Sequence, residues 1–238
     1  MNFDFNTSAM RNKNINGELN ALLDNLNQAG ENRGYLGASQ IGEECLRKIQ
    51  FQLNDPAPHF EPRTKRIFER GHVYEDVAAK WLRDMGFDLQ THKPDGGQLG
   101  FKSAGGKYSG HIDGIIKETP TALKVPCIWE CKALGAKGFK NVSDNGVAVA
   151  YPQYAAQISQ YQAYLSFHNP ALFMAINMDT MHVYFELIKF NAKLAQRITD
   201  KAVQIIEAQE HGEILPRAYP SADFYKCKWC SYSDECWK

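Results

Sequence analysis

The chain has 238 residues, of which 44% are apolar and 23% charged: enough for one large domain or two small ones with a proper core. No run approaches the roughly eighteen apolar residues of a membrane span, so no membrane partner is expected. Lys plus Arg and Asp plus Glu stand at 27 each, a formal net charge of zero, which excludes a protein that coats DNA by bulk charge. An enzyme whose acidic site offsets basic patches elsewhere is still compatible. Candidate patches are Arg63, Lys65, Arg66 and Arg70, or Lys137 and Lys140, although each cluster alone reads first as a solvated face. The opening MNFDFNTSAM has neither a basic n-region nor an apolar h-region, so a cytoplasmic protein with reduced thiols is expected.

In chain order, residues 1–16 are Asn-rich and aperiodic and read as a loose N-terminal arm. Residues 17–60 read as a helical segment. Leu19, Leu22, Leu23 and Leu26 form an amphipathic stripe, and Ser39 is a candidate N-cap for a helix through ECLRKIQFQL. DPAPHFEP is a Pro-rich break, after which a long helix is predicted from about Thr64 to Met85, with Pro62 at its start and Gly86 stopping it. FDLQTHK, QLGFKS, KYSGHIDGIIKE and VPCIWECKAL read as consecutive antiparallel strands. YAAQISQYQAYLSF is helical, ALFMAINMD and MHVYFELIKF are strands, and AKLAQRITDKAVQIIEAQE is a helix closed by Gly212. These elements form a core over 61–212, followed by a cysteine-rich segment over 213–238. GFKSAGGKY is not a P-loop: Tyr108 stands where Ser or Thr must bind Mg²⁺, and the context is strand-turn-strand.

The richest chemistry lies in GHIDGIIK and IWECKAL. Alternation along a strand points Glu130 and Lys132 to one face and Cys131 to the other, and Asp113 can face them across the ladder. A carboxylate and an ammonium inside an apolar strand are costly to bury without purpose. Two carboxylates and the backbone carbonyl of Cys131 supply hard oxygen ligands suited to Mg²⁺ or Mn²⁺. Lys132 could orient an attacking water or stabilise charge on a phosphate. Taken alone, the pattern also fits an ordinary salt bridge at a sheet edge.

With this αβββαβ order, the D…ExK set of Asp113, Glu130 and Lys132 resembles the PD-(D/E)XK nuclease superfamily. Gly71 to Glu75 before it and Gln157 to Tyr161 after it resemble the RecB-like exonuclease branch, which includes CRISPR-associated and phage nucleases. The resemblance implies an α/β restriction-endonuclease-like fold, a mixed sheet flanked by helices. It also implies a metal-dependent DNA exonuclease acting on single strands or ends. Glu75, Asp113, Glu130 and Lys132 would form the metal site, and Gln157 and Tyr161 would position the DNA backbone or the metal ligands. His72, one turn before Glu75, competes as the first ligand, and Gln160 to Tyr164 is a second, overlapping frame. A structure-specific or restriction endonuclease, or a non-cleaving DNA-binding module, are the alternatives. The substrate would be DNA, and a helicase, recombinase or integrase the partner.

Cysteine usage adds a second site. Cys227, Cys230 and Cys236 stand in C-x2-C-x5-C spacing and want a fourth ligand. Cys127 and Cys131 read as small buried hydrophobes. Cys45, in YLGASQIGEECLRKIQF, resembles the single upstream cysteine of iron–sulfur RecB-like nucleases. Four thiolates suit either zinc or an iron–sulfur cluster, and spacing alone does not choose. The resemblance, joined to one remote ligand and three clustered ones, implies a 4Fe–4S cluster clasping the two ends of the chain.

Overall fold

The computed structural model describes residues 5–26, 34–55 and 62–238 (side chains of the first stretch from 15 to 25). Helix α1 (Phe5–Leu26) precedes the short strand β1 (Leu36–Gly37), helix α2 (Leu46–Asn54) and the long helix α3 (Pro62–Asp84). Strands β2 (Asp88–Gln90), β3 (Gly100–Ser103), β4 (Tyr108–His111), β5 (Gly114–Glu118) and β6 (Cys127–Leu134) follow. Next come helices α4 (Ala136–Asn145), α5 (Val147–Ala150) and α6 (Pro152–Tyr164). Strands β7 (Ala171–Asn177) and β8 (Val183–Ile188), helix α7 (Ala192–His211), and the single turns α8 (Tyr225–Lys228) and α9 (Ser233–Cys236) complete the chain. Among the described residues no helix is long and apolar enough to cross a membrane.

Five strands form the main sheet in the order β2-β5-β6-β7-β8, with β6 and β7 parallel and the other neighbours antiparallel. The parallel pair is joined by the crossover α4-α5-α6. All seven residues of β7 are buried, as expected of a strand covered on both faces. Alternation along β6 sends Cys127, Trp129 and Cys131 against Ala78, Ala79 and Leu82 of α3. Ile128 joins the opposite layer with Ile158 of α6 and Ile198 and Ile205 of α7. The result is a helix-sheet-helix sandwich in which β6 runs through the middle of both cores.

Several expectations need correction. The aperiodic arm is helical from residue 5 onward. α1 runs back to Phe5, with Asn20 Nδ2 donating one turn back to Asn16 O at 2.7 Å, and Arg66 pairs with Asp24 at 2.7 Å to hold the helix near α3. Ser39 caps nothing helical: Gln40 Oε1 accepts from Gly37 N–H at 3.0 Å, closing a turn, and α2 starts only at Leu46. KYSGHIDGIIKE is two strands in two sheets. β4 pairs with β1 and β3 in a small second sheet, whereas β5 joins the main one. The chain changes sheets at Ile112–Asp113. Just before that break, Gly110 is pressed so closely by Phe101, Tyr161 and Ala38 that a Cβ would meet each within 2.8 Å. α4 was not expected at all, and a distant residue helps to make it: Asp179 Oδ2 accepts from Ala136 N–H at 2.8 Å and caps the helix from beyond β7. Most of DPAPHFEP lies outside the described residues.

The ends of the chain are tied together by a polar seam. Gln50, almost fully buried, donates to Glu213 O at 2.5 Å and accepts from Leu215 N–H at 2.9 Å. Arg47 Nε donates to Leu215 O at 2.5 Å, and Tyr232 OH donates to Asp55 at 3.2 Å. Replacing Gln50 by alanine leaves two backbone groups unsatisfied, at a cost of about 2–4 kcal/mol. The expected result is a lower urea midpoint with an unchanged slope. An unchanged midpoint would show the seam to be dispensable.

Candidate active site

Asp113 stands immediately before β5. Because Gly114 pairs with Trp129, extending the register sets Asp113 opposite Glu130. Its Oδ2 accepts from Cys131 N–H at 2.8 Å, which fixes the carboxylate at the break where the chain changes sheets. Glu130 is wholly buried and forms an ion pair with Lys132, two residues along the same strand face. Lys132 Nζ also lies 5.4 Å from the centre of the Tyr154 ring. The second carboxylate oxygen of Glu130, Oε2, is buried and accepts no hydrogen bond from the described residues.

Glu75 and His72 diverge on α3. The His72 side chain is 80% exposed, with Nδ1 3.7 Å from Glu75 Oε2. Glu75 is two-thirds buried and shares the field of Asp113 and Lys132. Burial first, and Asp113 next, push Glu75 up to about 7. The same two causes push Glu130 up to about 8 against the pull of Lys132. Burial pulls Lys132 down, but Glu130 and Asp113 outweigh it and hold the ammonium well above the usual lysine range. Lys132 therefore stays protonated, while Glu75 and Glu130 hold their protons more tightly than ordinary carboxyls.

A hard divalent cation suits this donor set. Three carboxylates disfavour one another's charge, and one buried oxygen lacks a partner, so a cation would relieve both costs. Among the described residues, no group of three or more His, Cys, Asp or Glu side chains is already gathered to hold a metal ion.

The raised carboxyls predict a pH dependence. A carboxyl that holds its proton more tightly when folded adds stability that is present below its ordinary value of 4.5. That stability is lost as pH rises through the folded values near 7 and 8. In chelator, the melting temperature should fall from about pH 5 to about pH 9 and Glu130→Gln should flatten the fall. A flat wild-type profile would contradict this.

One face of α6 looks onto the centre. Tyr154, Gln157 and Tyr161 recur at i, i+3 and i+7. Gln157 Nε2 donates to the Tyr161 hydroxyl at 2.7 Å. Burial, then Glu130, hold that hydroxyl well above the ordinary tyrosine range. The overlapping frame points elsewhere. Gln160 accepts from Tyr108 OH at 3.0 Å and donates to Ala195 O at 2.8 Å, while Tyr164 stacks on Phe101 with ring centres 4.4 Å apart. Tyr154 went unnoticed in the sequence, although the spacing that links it to Gln157 and Tyr161 was legible there. The basic patches are partly spent on ion pairs: Lys140 with Asp144 at 2.7 Å, and Arg66 with Asp24.

The cysteines divide into two sets, all free thiols. Cys127 and Cys131 are buried in the α3 layer, and burial pushes both thiols up, Cys127 to about 11. Cys45, Cys227, Cys230 and Cys236 line one cavity of about 750 Å³ at the seam between the chain ends. Arg47 Nη1 approaches Cys236 Sγ at 3.9 Å, and Arg217 donates to Cys236 O at 3.0 and 2.5 Å. The four cysteines are donors of the type a thiophilic metal centre uses, although among the described residues they are not gathered into a group that could already hold one.

The mixed sheet flanked by helices is a restriction-endonuclease-like α/β fold. Among solved structures, the chain is similar to an alkaline exonuclease, LHK-Exo, from Laribacter hongkongensis. That match has a TM-score of 0.55 at 12% identity, covering 81% of this chain and 93% of that one. The same exonuclease in complex with dAMP matches at 0.54 and 14% identity, covering 75% and 89%. At such identities the likeness is one of fold. No known protein family matches the chain. No curated protein matches its sequence.

Proposed function

We propose that this chain is a metal-dependent DNA exonuclease of the PD-(D/E)XK type, hydrolysing phosphodiester bonds at DNA ends or in single strands. The observation that carries the reading is the buried Glu130–Lys132 pair beside Asp113, with Glu130 Oε2 unpartnered. The fold likeness to an alkaline exonuclease supports it and favours exonuclease over endonuclease.

Glu75, Asp113, Glu130 and the Cys131 carbonyl would hold Mg²⁺ or Mn²⁺. When bound, such an ion polarises the scissile phosphate and acidifies its water. Lys132, held protonated, sits where it can stabilise charge building on the phosphate oxygens. Glu130 keeps that ammonium in place. Gln157 and Tyr161, bonded to each other on one helix face, position the backbone of the strand. On the same reading, Cys45, Cys227, Cys230 and Cys236 hold a 4Fe–4S cluster that closes the chain ends over the polar seam.

The test is a time course on end-labelled DNA, single- and double-stranded, linear and closed circular, with Mg²⁺, Mn²⁺ or chelator. Nucleotides should be released from linear DNA only, and none in chelator. Cutting of closed circles would replace the reading with an endonuclease. Binding without cleavage under every metal would replace it with a non-cleaving module.

A further inference from the structure

The loop leading to Cys45 rests directly on the first turn of α6. A Cβ added at Gly42 would lie 2.5 Å from Gln153 Cα, 2.6 Å from Gln153 Cβ and 3.0 Å from Gln153 O. Two backbones therefore meet with no side chain between them, a closeness only glycine allows. The other side of the loop is pinned by α7: Lys201 Nζ donates to Ile41 O at 2.8 Å and to Glu43 O, the carbonyls flanking Gly42. Pro152 and Gln153 line the same cavity as the four thiols. One turn further along α6 from Gln153 stands Gln157, and one turn beyond that Tyr161, the face turned to Glu130 and Lys132.

A helix is stiff over so short a span, so movement of its first turn is carried to the next two. We propose that Gly42 is a positioning residue for phosphodiester hydrolysis. Its contact with Gln153 couples the state of the four-thiol cavity to the placement of Gln157 and Tyr161, an inference that rests on the nuclease reading. Metal held by the thiols fixes the Cys45 loop, and the fixed loop fixes α6. Release of the metal loosens the loop and lets α6 shift away from the acidic centre.

The experiment measures kinetics, iron content and amide hydrogen exchange on the full chain. Gly42→Ala should lower kcat by about tenfold to a hundredfold, the scale set by an ångström of misplacement, with KM within about threefold and iron per chain unchanged. Gly37→Ala is the control in the same segment. Its Cβ would meet the movable end of Gln40 at 3.1 Å and make ordinary contact with Ser39 Oγ at 3.5 Å, with no backbone in the way, so activity should stay within about twofold. Two exchange arms need no catalysis. Stripping thiol-bound metal from the wild type, or making Lys201→Met, should speed exchange at residues 154–161 while leaving β6 protected.

Unchanged kcat in Gly42→Ala would overturn the proposal, as would a fall matched by lost iron. Faster exchange in the Cys45 loop with none in α6 would overturn it too. A wild type that cleaves no DNA would remove the nuclease reading instead, and the exchange arms would still decide whether the contact transmits. A full chain that carries no thiol-bound metal would also overturn the coupling.

Discussion

Lys132→Met will lower DNA cleavage by about a thousandfold or more, with DNA affinity within about threefold. Methionine keeps the apolar stem beside Tyr154 and removes only the ammonium. The ion pair with Glu130 is lost, and a charged, buried, unpaired carboxylate would cost about 3–5 kcal/mol. Glu130 has a cheaper escape. Burial and Asp113 already push it up to about 8, so without Lys132 it takes a proton and the fold survives near neutral pH. Glu130→Gln and Asp113→Asn should be as inactive in single-turnover assays. In the latter an amide oxygen can still accept the Cys131 N–H, so the turn before β5 should hold. Wild-type rates in any of the three purified variants would remove the active-site assignment.

On the proposed four-cysteine cluster, Cys45→Ala is expected to cost iron and thermal stability first, and nuclease activity only as a consequence. A centre shared by Cys45 and the three C-terminal cysteines closes a loop of nearly the whole described chain. On the loop-entropy estimate used for disulfides, a closure of that span is worth roughly 4–5 kcal/mol. Part of the clasp should outlast the metal, since Gln50, Arg47 and Tyr232 still bond across the seam. The variant should therefore melt early rather than fail to fold. Cys131→Ala is the contrast. Its thiol packs with Trp129 and Met174 in the α3 layer, so deleting it should cost about 1–2 kcal/mol and spare the iron. Iron analysis and melting curves of the two variants decide the matter. Iron lost from Cys131→Ala and kept by Cys45→Ala would reverse the ligand assignment.

Local chemistry made much of this protein legible before any fold was known. Pro62 and Gly86 punctuate α3, and Gly212, in the left-handed region at φ 68°, ends α7 where the periodicity stops. Strand alternation alone set Glu130 and Lys132 on one face and sent Cys131 to the other. Such features depend on a few neighbouring residues, which is why the chain displays them. Long-range contacts decided the rest. KYSGHIDGIIKE reads as one strand by composition, but its halves join different sheets, and the break between them is what turns Asp113 toward Cys131 N–H. The two glutamine-tyrosine frames on α6 are equivalent as text, and only packing against β4 and α7 draws Gln160 away and leaves Gln157 and Tyr161 beside Glu130. His72 and Glu75 differ by less than one helical turn, so exposure rather than spacing separates them. Helix α4 takes its cap from Asp179, and the thiol cavity takes its walls from both ends of the chain. Candidate reactive groups could be picked out of the chain as text, because side-chain type and strand alternation are local. Which of them meet depends on the packed fold, because burial and long-range hydrogen bonds belong to the folded chain.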